Sequence, residues 1–220
     1  MTNPRILVIG TGDTKAAELQ YIRACIRHAG GVPVSMDVSI LGNPAEQPDY
    51  DKHAVLAAAG HQLDRAVAGG DEMSAMTFMA EGAAALAATL HAEGKIDGFI
   101  ALGGTMGTDL ALDVALALPL GVPKFVVSTI AFSHLVPPDR IATDLMMILW
   151  AGGLYGLNSV CKAVLSQASG AVVGAARSAV VPKSGRPVIG MSSLGKSCLS
   201  YMVALRPELG SPDRVAWPGI

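Results

Sequence analysis

Two glycine turns carry the residues of this chain best suited to chemistry. The first, Gly10-Thr11-Gly12-Asp13-Thr14-Lys15, follows a short apolar run. Backbone N–H groups at a glycine-rich turn that enters a helix attract anions. Thr11 and Thr14 add hydroxyl donors there, and Lys15 adds a positive charge suited to phosphate. The plainer reading is an ordinary strand-to-helix turn with Asp13 as its N-cap. A dinucleotide fingerprint is excluded, because Lys15 stands where GxGxxG needs its third glycine. The second turn, Gly103-Gly104-Thr105-Met106-Gly107-Thr108, offers a backbone open to close approach and two more hydroxyls. Alone it could be a turn that merely lets a helix pack on a sheet. Two such turns in one sheet point jointly to phosphate.

Two smaller signals stand at strand ends. Ser128 and Thr129 close the fourth apolar run and read either as ligand donors or as turn residues. Asp37 closes another run, where an acidic residue can accept hydrogen bonds from ribose hydroxyls or cap a turn.

Other patterns carry less. Gly190 to Ser197 (GMSSLGKS) matches the P-loop pattern letter for letter, with Lys196 and Ser197 in the phosphate and Mg²⁺ positions. A P-loop enzyme needs further parallel strands and an acidic metal-binding strand afterwards, so this segment is expected not to be the main nucleotide site. His28, His53, His61, His91 and His134 lack metal-ligand spacing. Asp109 and Asp113 stand one helical turn apart, a possible metal pair but better read as a solvated stripe. Met73, Met76 and Met79 form a helical stripe expected in a core or a subunit interface. No GxSxG elbow occurs, and no base–nucleophile pair identifies a catalytic residue.

The elements that must position these residues follow from periodicity. Apolar β-branched runs at 5–10, 32–38, 96–104 and 122–129 read as strands, with a short one at 141–148. Helical spacing covers 13–29, 54–67, 71–93, 107–118 and 157–176, and 40–53 reads as a loop. The alternation predicts βαβ units: a Rossmann-like, doubly wound, mostly parallel α/β sheet with helices on both faces. Residues 1–178 are expected to form this domain. Residues 179–220 are expected to hold a linker and the truncated start of a second α/β subdomain, with a strand at 187–193 and a helix at 196–206.

Composition narrows the function classes. The chain has 220 residues, 51% of them hydrophobic and 15% charged, with a net charge of −2. That is long enough to bury a core without staples. It lacks the basic footprint of a nucleic-acid binder. Cys25, Cys161 and Cys198 are widely spaced and odd in number, which argues against a disulfide framework or a cysteine zinc site. Met1 to Arg5 lead straight into a strand, with no signal peptide expected. The uncharged run from Leu145 to Cys161 is shorter than the roughly 20 apolar residues of a membrane span. A cytoplasmic protein is expected.

The set IGTGDTKAAEL, MDVSI, FIALGGTMGTDL, LPLGVPKFVVST and GLNSV, in that order, resembles the tomato mosaic virus resistance type of ATP-binding domain, with bacterial members. The likeness covers residue 5 to about residue 206. It implies Rossmann-like α/β subdomains that bind ATP with Mg²⁺ around the two glycine turns. The implied positions are Gly10, Thr11, Asp13, Thr14 and Lys15, then Gly103, Gly104, Thr105, Gly107 and Thr108, with Ser128 and Thr129 also matching. Asp144 matches a Ser/Thr-Asp position of that family. This chain departs where Met106 replaces a glycine of GGSGGT, in AFSHLVPPDR after the fourth strand, and at its last residues.

The expected function is therefore nucleotide binding, with ATP favoured. The alternatives are a non-catalytic interaction or regulatory module that keeps the fold without the ligand, and a P-loop phosphotransferase using 190–197. A homo-oligomer, most simply a dimer, is expected, with neither nucleic acid nor membrane as partner.

Overall fold

The computed structural model describes residues 3–62, 72–150, 156–180 and, in a last helical stretch, 200, 201, 203 and 204. The chain divides into two compact units, Met1–Val181 and Pro182–Ile220, and the architecture below belongs to the first. The P-loop-like segment 190–197 and the expected strand at 187–193 lie outside the described residues.

Strands covered by helices on both faces need apolar residues at every position, not at alternate ones. β1 (Arg5–Gly10), β3 (Gly98–Gly103) and β4 (Lys124–Ser128) have that character, and every residue in them except Arg5 is buried. β2 (Val32–Asp37) and β5 (Leu145–Leu149) are less buried and form the two edges. All neighbours pair in parallel, in the order β2-β1-β3-β4-β5. The chain therefore steps from β1 outward to β2, returns across β1 to lay down β3, and continues to the opposite edge. Its winding reverses between β1 and β3.

Residues along each strand are divided between two cores. Ile6 and Val8 of β1, Ile100 and Leu102 of β3, and Phe125 and Val127 of β4 meet Ile22 and Ile26 of α1 (Ala16–His28) and Leu165 and Val172 of α5 (Ser159–Ser178). Leu7, Ile9, Phe99, Ala101 and Val126 point the other way. They meet α2 (Lys52–Ala58), α3 (Glu72–Ala92) and α4 (Thr105–Ala117). Each large aliphatic side chain fully buried here contributes roughly 1.5–3 kcal/mol. Met76 and Met79 of the methionine stripe belong to this second core. The doubly wound parallel sheet is thus the architecture of the first unit. No helix among the described residues is long and apolar enough to cross a membrane.

The observed boundaries differ from the periodicity reading in two places that matter. The helix expected from 107 begins at Thr105, so Thr105, Met106 and Gly107 form its first turn. The helix expected over 54–67 is Lys52–Ala58, with Asp51 accepting from Ala54 N–H as its cap at 2.8 Å.

Asp109 and Asp113 form the solvated stripe expected on α4, with their side chains 60% and 40% exposed, and they also share one cationic partner. Both bond the guanidinium of Arg140, Asp113 at 2.7 Å, so they clamp the β4–β5 connection onto α4. Burial opposes the charge on Arg140, but the two carboxylates outweigh it and raise its pKa. Among the described residues, no group of three His, Cys, Asp or Glu side chains is placed to hold a metal ion.

Candidate functional site

In open α/β sheets, ligands bind outside the carboxyl ends of the strands, where the winding reverses. Here that point lies between β1 and β3, the strands that carry the two glycine turns. Their turns face each other across a crevice of about 450 Å³. Gly10, Thr11, Asp13, Thr14 and Lys15 form one wall, and Gly103, Gly104, Thr105, Met106 and Gly107 form the other. Apolar side chains from Val38, Ile40, Leu41, Met76 and Leu110 complete the lining.

The β1 turn is a preformed coil of backbone. Thr11 O accepts from Lys15 N–H at 2.9 Å and Thr14 N–H at 3.3 Å, and the two threonine hydroxyls meet at 2.7 Å. Lys15, not Asp13, occupies the N-cap position of α1, and no side chain caps that helix. Asp13 instead bonds outward. Its N–H donates to Ser39 Oγ at 3.2 Å, and its carboxylate accepts from Gly42 N–H at 3.1 Å. The Lys15 ammonium lies over the indole of Trp150, 5.7 Å from the ring centroid.

The β3 turn runs directly into α4. Gly104 is its N-cap and supplies no side-chain acceptor, so the first-turn N–H groups keep their anion-attracting character. The first turn holds no acidic residue. A Cβ on Gly103 would meet Gly107 Cα at 2.6 Å, so that glycine is needed for strand-to-helix closure. A Cβ on Gly104 would meet only Thr129 Oγ1, at 3.8 Å. Gly104 therefore faces open space bordered by Thr129, whose own N–H donates to Gly103 O at 3.2 Å.

Thr108 and Ser128 play a different part. Both are buried, and their hydroxyls bond each other at 2.7 Å, pinning α4 to the end of β4. They support the turn without lining the crevice.

Asp144 is not brought to the crevice. It precedes β5 and lies at the amino ends of the strands, the opposite edge of the sheet. There both its oxygens take the Lys124 ammonium at 2.8 Å, and Oδ2 accepts from Gly121 N–H at 2.7 Å. Lys124 is almost fully buried and also bonds Pro119 O and Val122 O.

Asp37 is separated from the crevice by β1. Its neighbour in the register is Gly10, and it borders a second cavity between β2 and α1. Ser39 was not singled out in the sequence, yet it bonds both Asp37 and Asp13. The Asp-x-Ser spacing, which favours a local side-chain turn, was the available signal. Trp150 had no signal, because its place under Lys15 depends on β5 lying two strands from β3.

Residues 4–180 match the model of the uncharacterised protein family (UPF0261) N-terminal domain. A UPF0261 protein of Brucella suis is 64% identical over 207 residues, covering 94% of this chain and 50% of that protein. A UPF0261 protein of Clostridium tetani is 32% identical over 203 residues, covering 92% and 50%. The tomato (Solanum lycopersicum) ToMV resistance protein Tm-1(GCR237) is 30% identical over 191 residues, covering 78% of this chain and 25% of its own length. The chain thus spans about half the length of the two bacterial relatives. With its doubly wound sheet and paired glycine turns inside the matched span, the chain belongs to the UPF0261 family, through that family's N-terminal domain.

Proposed function

We propose that this protein binds a nucleotide, ATP with Mg²⁺, in the crevice between β1 and β3. The observation that carries this reading is the meeting of both glycine turns where the sheet winding reverses. The start of α4, where Gly104 supplies no side-chain cap and the first turn holds no acidic residue, leaves N–H groups beside this space, and Lys15 adds its positive charge to the opposite wall. The crevice volume lies within the roughly 300–1,000 Å³ of ligand sites. Thr11, Thr14, Lys15, Thr105 and the amides of Gly104 and Gly107 would hold phosphate oxygens. Asp13 is the carboxylate among the lining residues, and Mg²⁺ commonly takes one or two carboxylates together with phosphates. The likeness to the tomato resistance type of ATP-binding domain favours ATP over other phosphates.

A second reading, an interaction module without the ligand, has one observation in its favour. Met106 stands at the crevice with its side chain over a third exposed, where the resembled pattern has glycine. Calorimetry and thermal melting with ATP and Mg²⁺ decide between them. Binding should stabilise the fold by about 2.7 kcal/mol at a hundredfold excess over Kd. No heat and no melting shift at millimolar ATP would overturn the nucleotide reading.

A further inference from the structure

Lys52, the first residue of α2, is 6% exposed. Its ammonium donates to Gly42 O at 2.6 Å, and among the described residues no carboxylate pairs with it. It also stands in the first turn of its helix, where the backbone dipole disfavours a positive charge. An ammonium buried against one neutral acceptor recovers little of what it loses on leaving water, and an apolar side chain of similar volume would pack there at lower cost. Stability of the fold therefore does not explain a lysine at this position. The segment it holds gives the reason.

Gly42 is pinned at both ends. Lys52 takes its carbonyl, and its N–H donates to Asp13 Oδ2 at 3.1 Å. A Cβ on Gly42 would meet Asp13 Cβ at 2.5 Å, so the loop after β2 lies directly on the β1 turn. Ile40 and Leu41 lead into Gly42, and both line the crevice. Ile40 is buried in one core with Val55 and Leu56 of α2, whereas Leu41 is 75% exposed. Residues 40–42 thus form a lip along the crevice, anchored by Ile40 on one side of Leu41 and by Gly42 on the other. A loop anchored in this way holds Leu41 out at the rim. The turn amides and Lys15 suit the charged end of a ligand, and Leu41 suits an uncharged, apolar part.

We infer that Lys52 is a positioning residue of the crevice: it fixes the lip 40–42 through Gly42, and Leu41 then covers the organic, uncharged part of the ligand whose phosphates meet the glycine turns. The inference rests on the nucleotide reading for those phosphates. Lys52 itself touches no ligand, because its ammonium is buried and engaged with the loop. The partly exposed Met106, on the opposite wall, presents a second apolar side chain to the same part. The lip is thereby a selective element, favouring a phosphate that carries an organic group over bare phosphate.

Calorimetry on the 220-residue chain, with Mg²⁺ throughout, separates the two parts of the site. Inorganic tripolyphosphate reads the turns alone, and ATP reads the turns and the lip. Leu41→Ala should weaken ATP binding about fivefold, as uncovering part of a leucine side chain does, and leave tripolyphosphate within about twofold. Lys52→Met, which fills the space without the charge, should fold and show the same split. Because both act through one lip, the double variant should bind ATP within about twofold of the weaker single variant. Additive losses, equal losses for both ligands, or unchanged ATP affinity in Lys52→Met overturn the positioning role. Failure of Lys52→Met to fold does so too, since it would assign the buried charge to stability. Leu41→Ala, at an exposed position, still tests the lip in that case. If both ligands bind but Leu41→Ala loses nothing, the lip falls and the phosphate crevice stands. If neither ligand binds the wild type, the nucleotide reading falls and the lip assignment falls with it.

Discussion

Asp37 accepts the N–H of Gly12 at 2.8 Å, tying the end of β2 to the turn that follows β1. With the bonds of Asp13 to Ser39 and Gly42, it ties the glycine turn to the segment that follows β2. It engages one carboxylate oxygen, while the other, Oδ2, is buried without a hydrogen-bond partner.

Lys15 is expected to move from the indole to phosphate when nucleotide binds. Cation–π contact at a partly exposed site is worth only about 0.5–1 kcal/mol, less than a charged hydrogen bond. Lys15→Ala should raise the Kd for ATP about tenfold, equivalent to about 1.4 kcal/mol. In the wild type, ATP should change the intrinsic tryptophan fluorescence, and Trp150→Phe should abolish that change. Unaltered affinity in Lys15→Ala would remove this residue from the site.

Adjacent glycines of the β3 turn should separate folding from binding. Gly103→Ala forces a methyl against the backbone of Gly107 and should lower the melting temperature by several degrees, as about 1–3 kcal/mol of overpacking does. Gly104→Ala places a methyl in open space beside Thr129. It should leave urea unfolding within about 0.5 kcal/mol of wild type while weakening ATP binding at least fivefold. Equal affinity in Gly104→Ala would show that this backbone does not approach the ligand.

The Lys124–Asp144 pair should prove structural. Asp144→Asn strands a buried ammonium with two carbonyl partners. Breaking such a pair from one side costs roughly 3 kcal/mol. Urea denaturation should register that loss, while nucleotide affinity should stay within twofold, because the pair lies at the other end of the strands. A tenfold loss of affinity in a folded variant would contradict this placement.

Acid should reveal the Arg5–Asp97 contact at the start of β1. Burial alone would raise the Asp97 pKa, but hydrogen bonds from the side chain and backbone of Arg5, with its charge, prevail and lower it. A carboxyl with a lowered folded pKa adds stability above its unfolded value, about 3.9, and loses it as pH falls through the folded value. Both partners are about two-fifths exposed, so the pair contributes under about 1 kcal/mol. Asp97→Asn should thus be slightly less stable than wild type at pH 7, and the two should converge below pH of about 3. A gap that widened in acid would disprove the assignment.

Local chemistry made much of the molecule legible in the sequence. Continuous apolar runs marked β1, β3 and β4, because a strand buried on both faces needs every side chain apolar. The two glycine turns stood out because their capacity lies in their own backbone, whatever surrounds them. Strand order was not legible in that way. It is fixed by which apolar faces cover one another at long range, and it alone put the turns of β1 and β3 on one crevice. The same ordering sent Asp144 to the far edge as the partner of Lys124, gave Asp109 and Asp113 to Arg140, and laid Lys15 over Trp150. A charged side chain acts on whatever lies within a few ångströms of its tip. Residue type and spacing therefore determined what these groups were able to bind, and only the packed sheet decided which of them would meet.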